Sequence, residues 1–261
     1  MIWLSYNCRG LVNPKKRLAL KRLAHDSRCD ILFLQETLCS SDNSARTLQT
    51  ILPGWIFQGL DANGKSGGLA IGINPRTVKI ISSWGGWGFI GMDIFMGKLE
   101  LTLKVINIYA PNQNRMAFWL NLLENNLVTN STIIGGDLKF SLGMEESWGH
   151  HAQLDLISEL MSTLLDSYKL VNVPMNKKVP TWHNRRTGDA ALGRGLEKFL
   201  IDEDLIHKLP LYRQWVGTGG LSDHLPIFLH VSGPTKKPRS PFGFFSGHLQ
   251  DLDFINLVTD F

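Results

Sequence analysis

Four apolar runs in this 261-residue chain end in side chains able to bind metal or move protons. Thr132-Ile133-Ile134 leads into Gly135-Gly136-Asp137, followed by Leu138-Lys139. The other three end in Leu34-Gln35-Glu36, Ile108-Tyr109-Ala110-Pro111-Asn112 and Ser222-Asp223-His224. A short apolar run closed by turn residues is a buried strand delivering its last polar group to the rim of a sheet. Glycine there lets the backbone turn sharply or lets another group approach closely. Asp, Glu, Asn and His gathered on one rim make a hard-ligand and acid–base set. Magnesium binds through one or two carboxylates and keeps positions for water and phosphate oxygens. A metal so held stabilises charge on a phosphoryl group, and an adjacent acid–base group activates water. Ser222, Asp223 and His224 are consecutive, so on a strand they would point to opposite faces and do not form a hydrolase triad. Taken singly, each such residue is an ordinary turn former; their recurrence at strand ends carries the chemical reading.

The elements that must position them alternate between strands and helices. Ile2–Tyr6 reads as a first strand, running into the polar turn Asn7-Cys8-Arg9-Gly10. Pro14 opens a helix to Asp26, with Leu18, Ala19 and Leu23 on its apolar side and lysines and arginines on a solvated one. Asp30–Glu36 is a second buried strand, apolar enough to be covered on both faces. Trp55–Gln58 and Leu69–Ile73 read as strands joined by Gly59–Ser66. That loop matches a phosphate-binding P-loop pattern, but Gly67-Gly68 and an apolar strand follow instead of the helix such a loop requires. Gly86–Gly91 matches a dinucleotide fingerprint, also without its helix, and reads as an aromatic-flanked turn. Leu99–Tyr109 alternates as a long strand, Arg115–Val128 is helical, and Gln153–Leu165 carries Leu154, Ile157, Leu160, Met161 and Leu164 at helical spacing. Leu196–Ile201 and Pro226–Val231 read as strands; Leu205–Trp215 is ambiguous. Pattern alone gives an α/β chain with a mixed sheet.

Composition bounds the classes. At 43% hydrophobic and 19% charged residues, the chain supports a large core and is not disordered. A net charge of +4 is compatible with a polyanionic partner. Three irregularly spaced cysteines, Cys8, Cys29 and Cys39, give no disulfide framework and fit a reducing compartment. No run is long enough to span a membrane, and no signal peptide is recognisable, so an intracellular location, nuclear or cytoplasmic, is expected and a membrane partner is not. After Val231 the sequence becomes Pro- and Lys-rich, which places a domain at 1–232 and a linker-like tail at 233–261.

Seven segments, in order, are similar to the endonuclease/exonuclease/phosphatase superfamily, which includes apurinic endonucleases and type I deoxyribonuclease. They are Ser5–Leu11, Phe33–Thr37, Gly67–Ala70, Ile108–Asn112, Gly135–Asp137, Pro180–Trp182 and Ser222–Pro226. More narrowly, the chain resembles the endonuclease domain of plant LINE-type (non-LTR) retrotransposons, whose reverse transcriptase domain has no counterpart in this chain. The resemblance implies a four-layered α/β sandwich with the site at one end of two packed sheets. It implies DNA as partner, a monomer, and Mg2+ or Mn2+ held by Glu36 with Asn7 nearby. Tyr109 and Asn112 would contact the scissile phosphate, and Asp137 would orient or deprotonate the attacking water. Asp223 and His224 would complete the site, and Arg185 and Arg186 would hold the phosphate backbone.

Two positions depart from that pattern. Lys139 stands where the family has Asn, replacing a neutral donor and acceptor by a charged donor. Glu197 stands where the family has the Asp that orients the catalytic His. A misplacement of about 1 Å costs on the order of 100-fold in rate, so weakened or absent cleavage is expected. Two alternatives stay open: a non-catalytic nucleic-acid-binding module, and another superfamily phosphatase or deadenylase.

Overall fold

A computed structural model describes residues 1–63, 66–125, 127–209, 211–233 and 255–256. In chain order the elements used below are β1 (Ile2–Asn7), α1 (Pro14–Ser27), β2 (Ile31–Gln35), α2 (Ser41–Ile51), β3 (Ile56–Asn63), β4 (Ser66–Ile73), β5 (Val78–Gly86), β6 (Phe89–Met96), β7 (Leu101–Tyr109), α3 (Arg115–Glu124), β8 (Thr132–Asp137), β9 (Ser147–Trp148), α4 (Ser158–Ser167), β10 (Leu170–Asn172), β11 (Trp182–His183), β12 (Gly193–Arg194), β13 (Glu197–Asp202), α5 (Glu203–Lys208), β14 (Leu211–Val216) and β15 (Ile227–Ser232).

The strands form two six-stranded mixed sheets, ordered β14-β15-β1-β2-β4-β3 and β10-β13-β8-β7-β6-β5, and a small sheet β11-β12-β9. Trp3, Ile31, Phe33 and Ile71 of the first large sheet meet Met92, Ile94, Val105 and Phe199 of the second in one buried cluster. On its outer face the first sheet packs Leu4, Leu32 and Leu34 against Leu20 and Ala24 of α1 and Leu48 of α2. The outer face of the second sheet buries Ile106, Ile108 and Ile134 against Trp119 of α3 and Met161 of α4. The result is a four-layered α/β sandwich. Both faces of each central strand are covered, so their sequences are near-continuous apolar runs.

β8 is the middle of the second sheet and is buried at every residue. Its two glycines have separate physical causes. A Cβ on Gly135 would lie 2.5 Å from the Phe199 ring and 3.0 Å from Phe33, so Gly135 lets those rings close the space between the sheets. Gly136 has φ +144°, and a Cβ there would lie 2.0 Å from the Ile108 carbonyl oxygen. Together they carry Asp137 to the sheet rim in close contact with β7.

Several boundaries differ from the sequence reading. α1 buries Leu20 and Ala24, while Leu18 is 51% exposed. α4 begins at Ser158, not Gln153, and Leu154 is exposed. The reason is Asp155, whose carboxylate accepts from the N–H of Ile157 and whose carbonyl accepts from Ser158, a local turn that competes with helix. α3 ends at Glu124, short of Val128, with the Asn125 amide bonded back to the Asn121 carbonyl. Six of the eight residues of the expected 59–66 loop are strand: β3 runs on to Asn63 and β4 starts at Ser66, with Gly64 and Lys65 outside the described residues. The ambiguous 205–215 stretch divides between α5 and β14. Helix α2, capped by Ser40 on the Asn43 N–H, was not foreseen. Most of the 233–261 tail lies outside the described residues.

Asp155 also receives both Arg115 guanidinium nitrogens at 2.7 Å. The same guanidinium donates to the Lys139 carbonyl, bracing the loop after β8. Burial works against the Asp155 charge, but the Arg115 bonds and the Ile157 and Ser141 N–H groups hold its carboxyl below the usual range. Removing one partner leaves the other charge uncompensated, so Asp155→Ala is expected to cost about 3 kcal/mol of stability at pH 7. Because the folded-state carboxyl is depressed, that contribution is full above the ordinary carboxylate range and is lost as pH falls through it. Urea unfolding at pH 7 and near pH 3 checks this: equal losses at both would remove the charge from the explanation.

Candidate active site

Register puts three site residues in one row across the second sheet. Tyr109 of β7 lies beside Asp137 of β8, and Asp137 lies beside Glu197 of β13. The facing sheet supplies Asn7 from the end of β1, paired with Gln35. Glu36 follows directly after β2, and His224 lies shortly before β15, bridged to Trp182. One ligand atom from each of Glu36, Asp137 and His224 lies within 4.8 Å of the other two. All three residues are buried.

Asn7 sits at the centre. Its Nδ2 donates to Glu36 Oε1 at 2.9 Å and to Asp137 Oδ2 at 3.0 Å, and lies 3.4 Å from His224 Nε2. Its oxygen accepts from the Arg9 backbone N–H at 3.2 Å. Asn7 is thus where the sequence put it, but as a donor between carboxylates, with its oxygen turned away. The Glu197 carboxylate bonds His224 Nδ1 despite its extra methylene. Glu197 is itself placed by the Thr181 hydroxyl, which accepts from the N–H groups of Leu196 at 2.9 Å and Glu197 at 3.1 Å. Asp223 does not touch the imidazole edge. It bonds the Arg9 guanidinium and accepts from Trp182 Nε1 at 3.3 Å. Arg9 also reaches Glu36 Oε2 at 3.5 Å.

Glu36, Tyr109, Asp223, His224 and Arg9 line an open cleft of about 600 Å³ that also holds Asn112, Arg115, Lys139 and Arg194; Asn7, Asp137 and Glu197 are fully buried and do not line it. Lys139 Nζ donates to Asn112 Oδ1 at 2.8 Å and stands 4.2 Å over the Tyr109 ring. Arg185 and Arg186 are not in this cleft; they line a neighbouring cavity that shares Leu192 with it. Arg9, Glu36 and Lys139 all adopt left-handed backbone, with φ of +46°, +51° and +54°. Each follows a strand that ends at the site, so the strands stop by reversing twist there.

Burial and the neighbouring Glu197 push the Asp137 carboxyl up to about 6, against the charges of His224 and Lys139 and the Asn7 donor. Burial opposes the His224 charge, yet Glu197 first, then Asp137 and Asp223, hold the imidazole up at about 9. Asp223 is buried too, but His224 and Arg9 keep its carboxyl below the usual range. Burial, with Glu36 and Asp137 nearby, raises the Tyr109 hydroxyl far above its ordinary value, so it stays a neutral donor. The site therefore sets an Asp137 carboxyl raised toward neutrality against a His224 imidazole held protonated above it. Cys8 and Cys29 are buried, with thiols pushed up to about 12 by burial, which suits packing and not nucleophilic attack.

Sequence reading missed Arg9, Arg115 and Arg194 in the cleft. Arg9 carried a signal, being a basic residue in the turn directly after a strand-end Asn. The other two carried none. The donor set is two carboxylates and an imidazole, and Asp137 Oδ1 is buried with no hydrogen-bond partner among the described residues. Such an atom fits a divalent cation or a water held against it, of the magnesium or manganese type.

Comparison with known proteins agrees with this architecture. The chain superposes on the endonuclease domain of TRAS1, a telomere-specific non-LTR retrotransposon, with a TM-score of 0.68 and 15% identity, covering 90% of this chain and 99% of that one. A 3'-5' exonuclease from Neisseria meningitidis gives 0.69 and 17%, covering 89% and 100%. An AP endonuclease from Archaeoglobus fulgidus gives 0.68 and 16%, covering 88% and 99%. At such identities the likeness is one of fold. No curated protein matches the chain. The sequence does match a family model, over residues 4–138, which takes in Asn7, Glu36, Tyr109 and Asp137. With two sheets meeting at that same set of residues, the chain belongs to the endonuclease/exonuclease/phosphatase family.

Proposed function

We propose that this chain is a metal-dependent phosphodiesterase of DNA, of the retrotransposon-endonuclease kind, whose cleavage is weakened by Lys139. The observation that carries the reading is the convergence of Glu36, Asp137 and His224 from two sheets on one point. Fold neighbours whose own activities are on nucleic acid support the substrate class.

Glu36 would hold a magnesium or manganese ion, with Asn7 and Asp137 beside it. When bound, it supplies charge stabilisation at the phosphate and acidifies a ligated water. The chain's own groups have separable tasks. Asp137, poised near neutrality and with a free Oδ1, accepts the proton of the attacking water. His224, held protonated by Glu197, donates Nε2–H to a non-bridging phosphate oxygen; the adjacent Asn7 Nδ2 is also a donor and cannot take that proton. Tyr109 and Asn112 are the remaining phosphate donors.

Lys139 stands beside that last pair. Its ammonium bonds Asn112 Oδ1, leaving Nδ2 to donate, and covers the Tyr109 ring; the interference is its charge, which lies beside the anionic centre that must attract a cation. Glu197, by contrast, makes the contact to His224 that an orienting carboxylate must make. The weakening is therefore assigned to Lys139. A specific second reading follows from the same contact: a site that grips phosphate through Lys139 without turning it over, a binding module.

Lys139→Asn is expected to raise magnesium-dependent nicking of supercoiled plasmid by roughly 10-fold or more, the scale of one misplaced charged group in such a site. Glu197→Asp, which shortens the reach to His224, gives no gain. Strong nicking by the unmodified chain would sink the assignment of weakness. Salt-dependent binding with no cleavage in either variant would move the reading to the binding module.

Glu197→Gln tests the proton assignment. With the charge removed, the His224 imidazole should titrate well below the value of about 9 it holds beside Glu197. The phosphate-binding form is then lost at lower pH, since a raised imidazole stays protonated until pH climbs through its folded value. NMR titration of the imidazole protons in the metal-free chain reads this directly. An unchanged titration would show that Glu197 does not hold the charge.

A further inference from the structure

Beside the cleft lies a second cavity, of about 410 Å³, that the catalytic reading does not use. The two share Ser66, Tyr109, Asn112 and Lys139, so a single polymer chain can pass from one to the other. One wall is Trp87, at the tip of the β5–β6 hairpin, with 69% of its surface exposed. An indole is rarely left in solvent without a use, because its burial is worth several kcal/mol at about 25 cal/mol per Å². Trp87 is nevertheless held in place. Its ring meets Phe118 at 5.7 Å between centroids and 72° between planes, and Phe118 in turn packs against Trp119 at the core. The contact braces the indole and leaves most of its surface open.

Another part of the lining is bare backbone. Gly67 has φ +80°, which excludes most side chains, and among the described residues no atom lies within 4 Å of where its Cβ would stand. The cavity therefore offers a planar group an open indole and a stretch of lining with no side chain in the way. The seam with the cleft carries the Lys139 ammonium, which suits the phosphate that joins one nucleotide to the next.

We propose that this cavity takes an unstacked nucleobase, from the nucleotide next to the phosphodiester held in the cleft, with its plane against Trp87. The inference rests on the nucleic-acid reading above and narrows it. A base inside a duplex is already stacked on both faces, and reaching Trp87 means leaving the helix. The substrate class is then single-stranded DNA, or a duplex with an unpaired nucleotide at the scission point, ahead of intact duplex.

The test is anisotropy binding, without metal, of a short labelled oligothymidylate and of a matching chain of abasic units. The wild-type chain is compared with Trp87→Ala and Trp87→Phe. Stacking of one base is worth about 1–3 kcal/mol, so Trp87→Ala should lose roughly 5- to 150-fold in affinity for oligothymidylate. Trp87→Phe should recover most of it, and the abasic chain should bind all three proteins alike, which also reports that the variants are folded. Equal, salt-dependent binding of oligothymidylate by wild type and Trp87→Ala overturns the base site and leaves the nucleic-acid reading standing. An equal loss on the abasic chain overturns the base site as well, since the effect then needs no base. If the wild type binds neither chain at low salt, both readings fall.

Discussion

The site exists because two sheets are held at one spacing by polar groups inside an otherwise apolar interface. Gln35 Nε2 donates to Asn107 Oδ1 at 2.6 Å across the gap. Asn107 in turn donates to the carbonyls of Leu34 and Ala70, both at 3.0 Å, tying β7 to β2 and β4. One step nearer the rim, Asn7 repeats the pattern with Glu36 on its own sheet and Asp137 on the other. Buried hydrogen bonds in a low-dielectric interior are directional where apolar packing is not, and losing one partner costs the full desolvation of the other. Asn7, bonded to both Glu36 and Asp137, ties the position of one carboxylate to that of the other.

Charge in the cleft is organised by the same economy of partners. Arg9 is spent on Asp223 and Glu36, and Arg115 on Asp155 and the Lys139 carbonyl. These arginines brace loops more than they offer charge to a ligand. Lys139 is different, because its partners are the neutral Asn112 amide and the Tyr109 ring. It keeps its full charge toward the cleft. Charge left open to the cleft therefore comes from Lys139, with Arg194 also in the lining.

Much of this was legible in the sequence, and the reasons are specific. Gly135-Gly136-Asp137 is readable because both glycines answer steric demands that hold wherever a carboxylate leaves a crowded sheet. The Glu36, Tyr109 and His224 motifs are short segments in which neighbouring residues share one turn. What was not legible depends on distant partners. Asn107 reads as a polar interruption of a strand until Gln35, 72 residues away in the chain, is seen to meet it. Arg9 reads as a surface turn until Asp223 closes on it. Asp155 cut short a well-patterned helix because Arg115 and two backbone N–H groups outbid the helical pattern of Leu154. Trp87 in a glycine-flanked turn gave no sign of standing exposed at a cavity mouth.

Lys139 shows how folding and chemistry separate at a single position. With φ +54° it occupies backbone that costs an ordinary side chain about 1 kcal/mol or more and that asparagine tolerates better. Lysine does not relax that strain, yet the turn keeps its shape, because what holds it is the Lys139 carbonyl on Arg115 and the Leu138 N–H on the Leu196 carbonyl. Neither bond involves the side chain. The loop after β8 is thus indifferent to whether asparagine or lysine is present, and β8, Asp137 and the inter-sheet column stay as they are. A substitution here changes the charge presented to the cleft through the side chain, while the bonds that shape the turn run through the backbone.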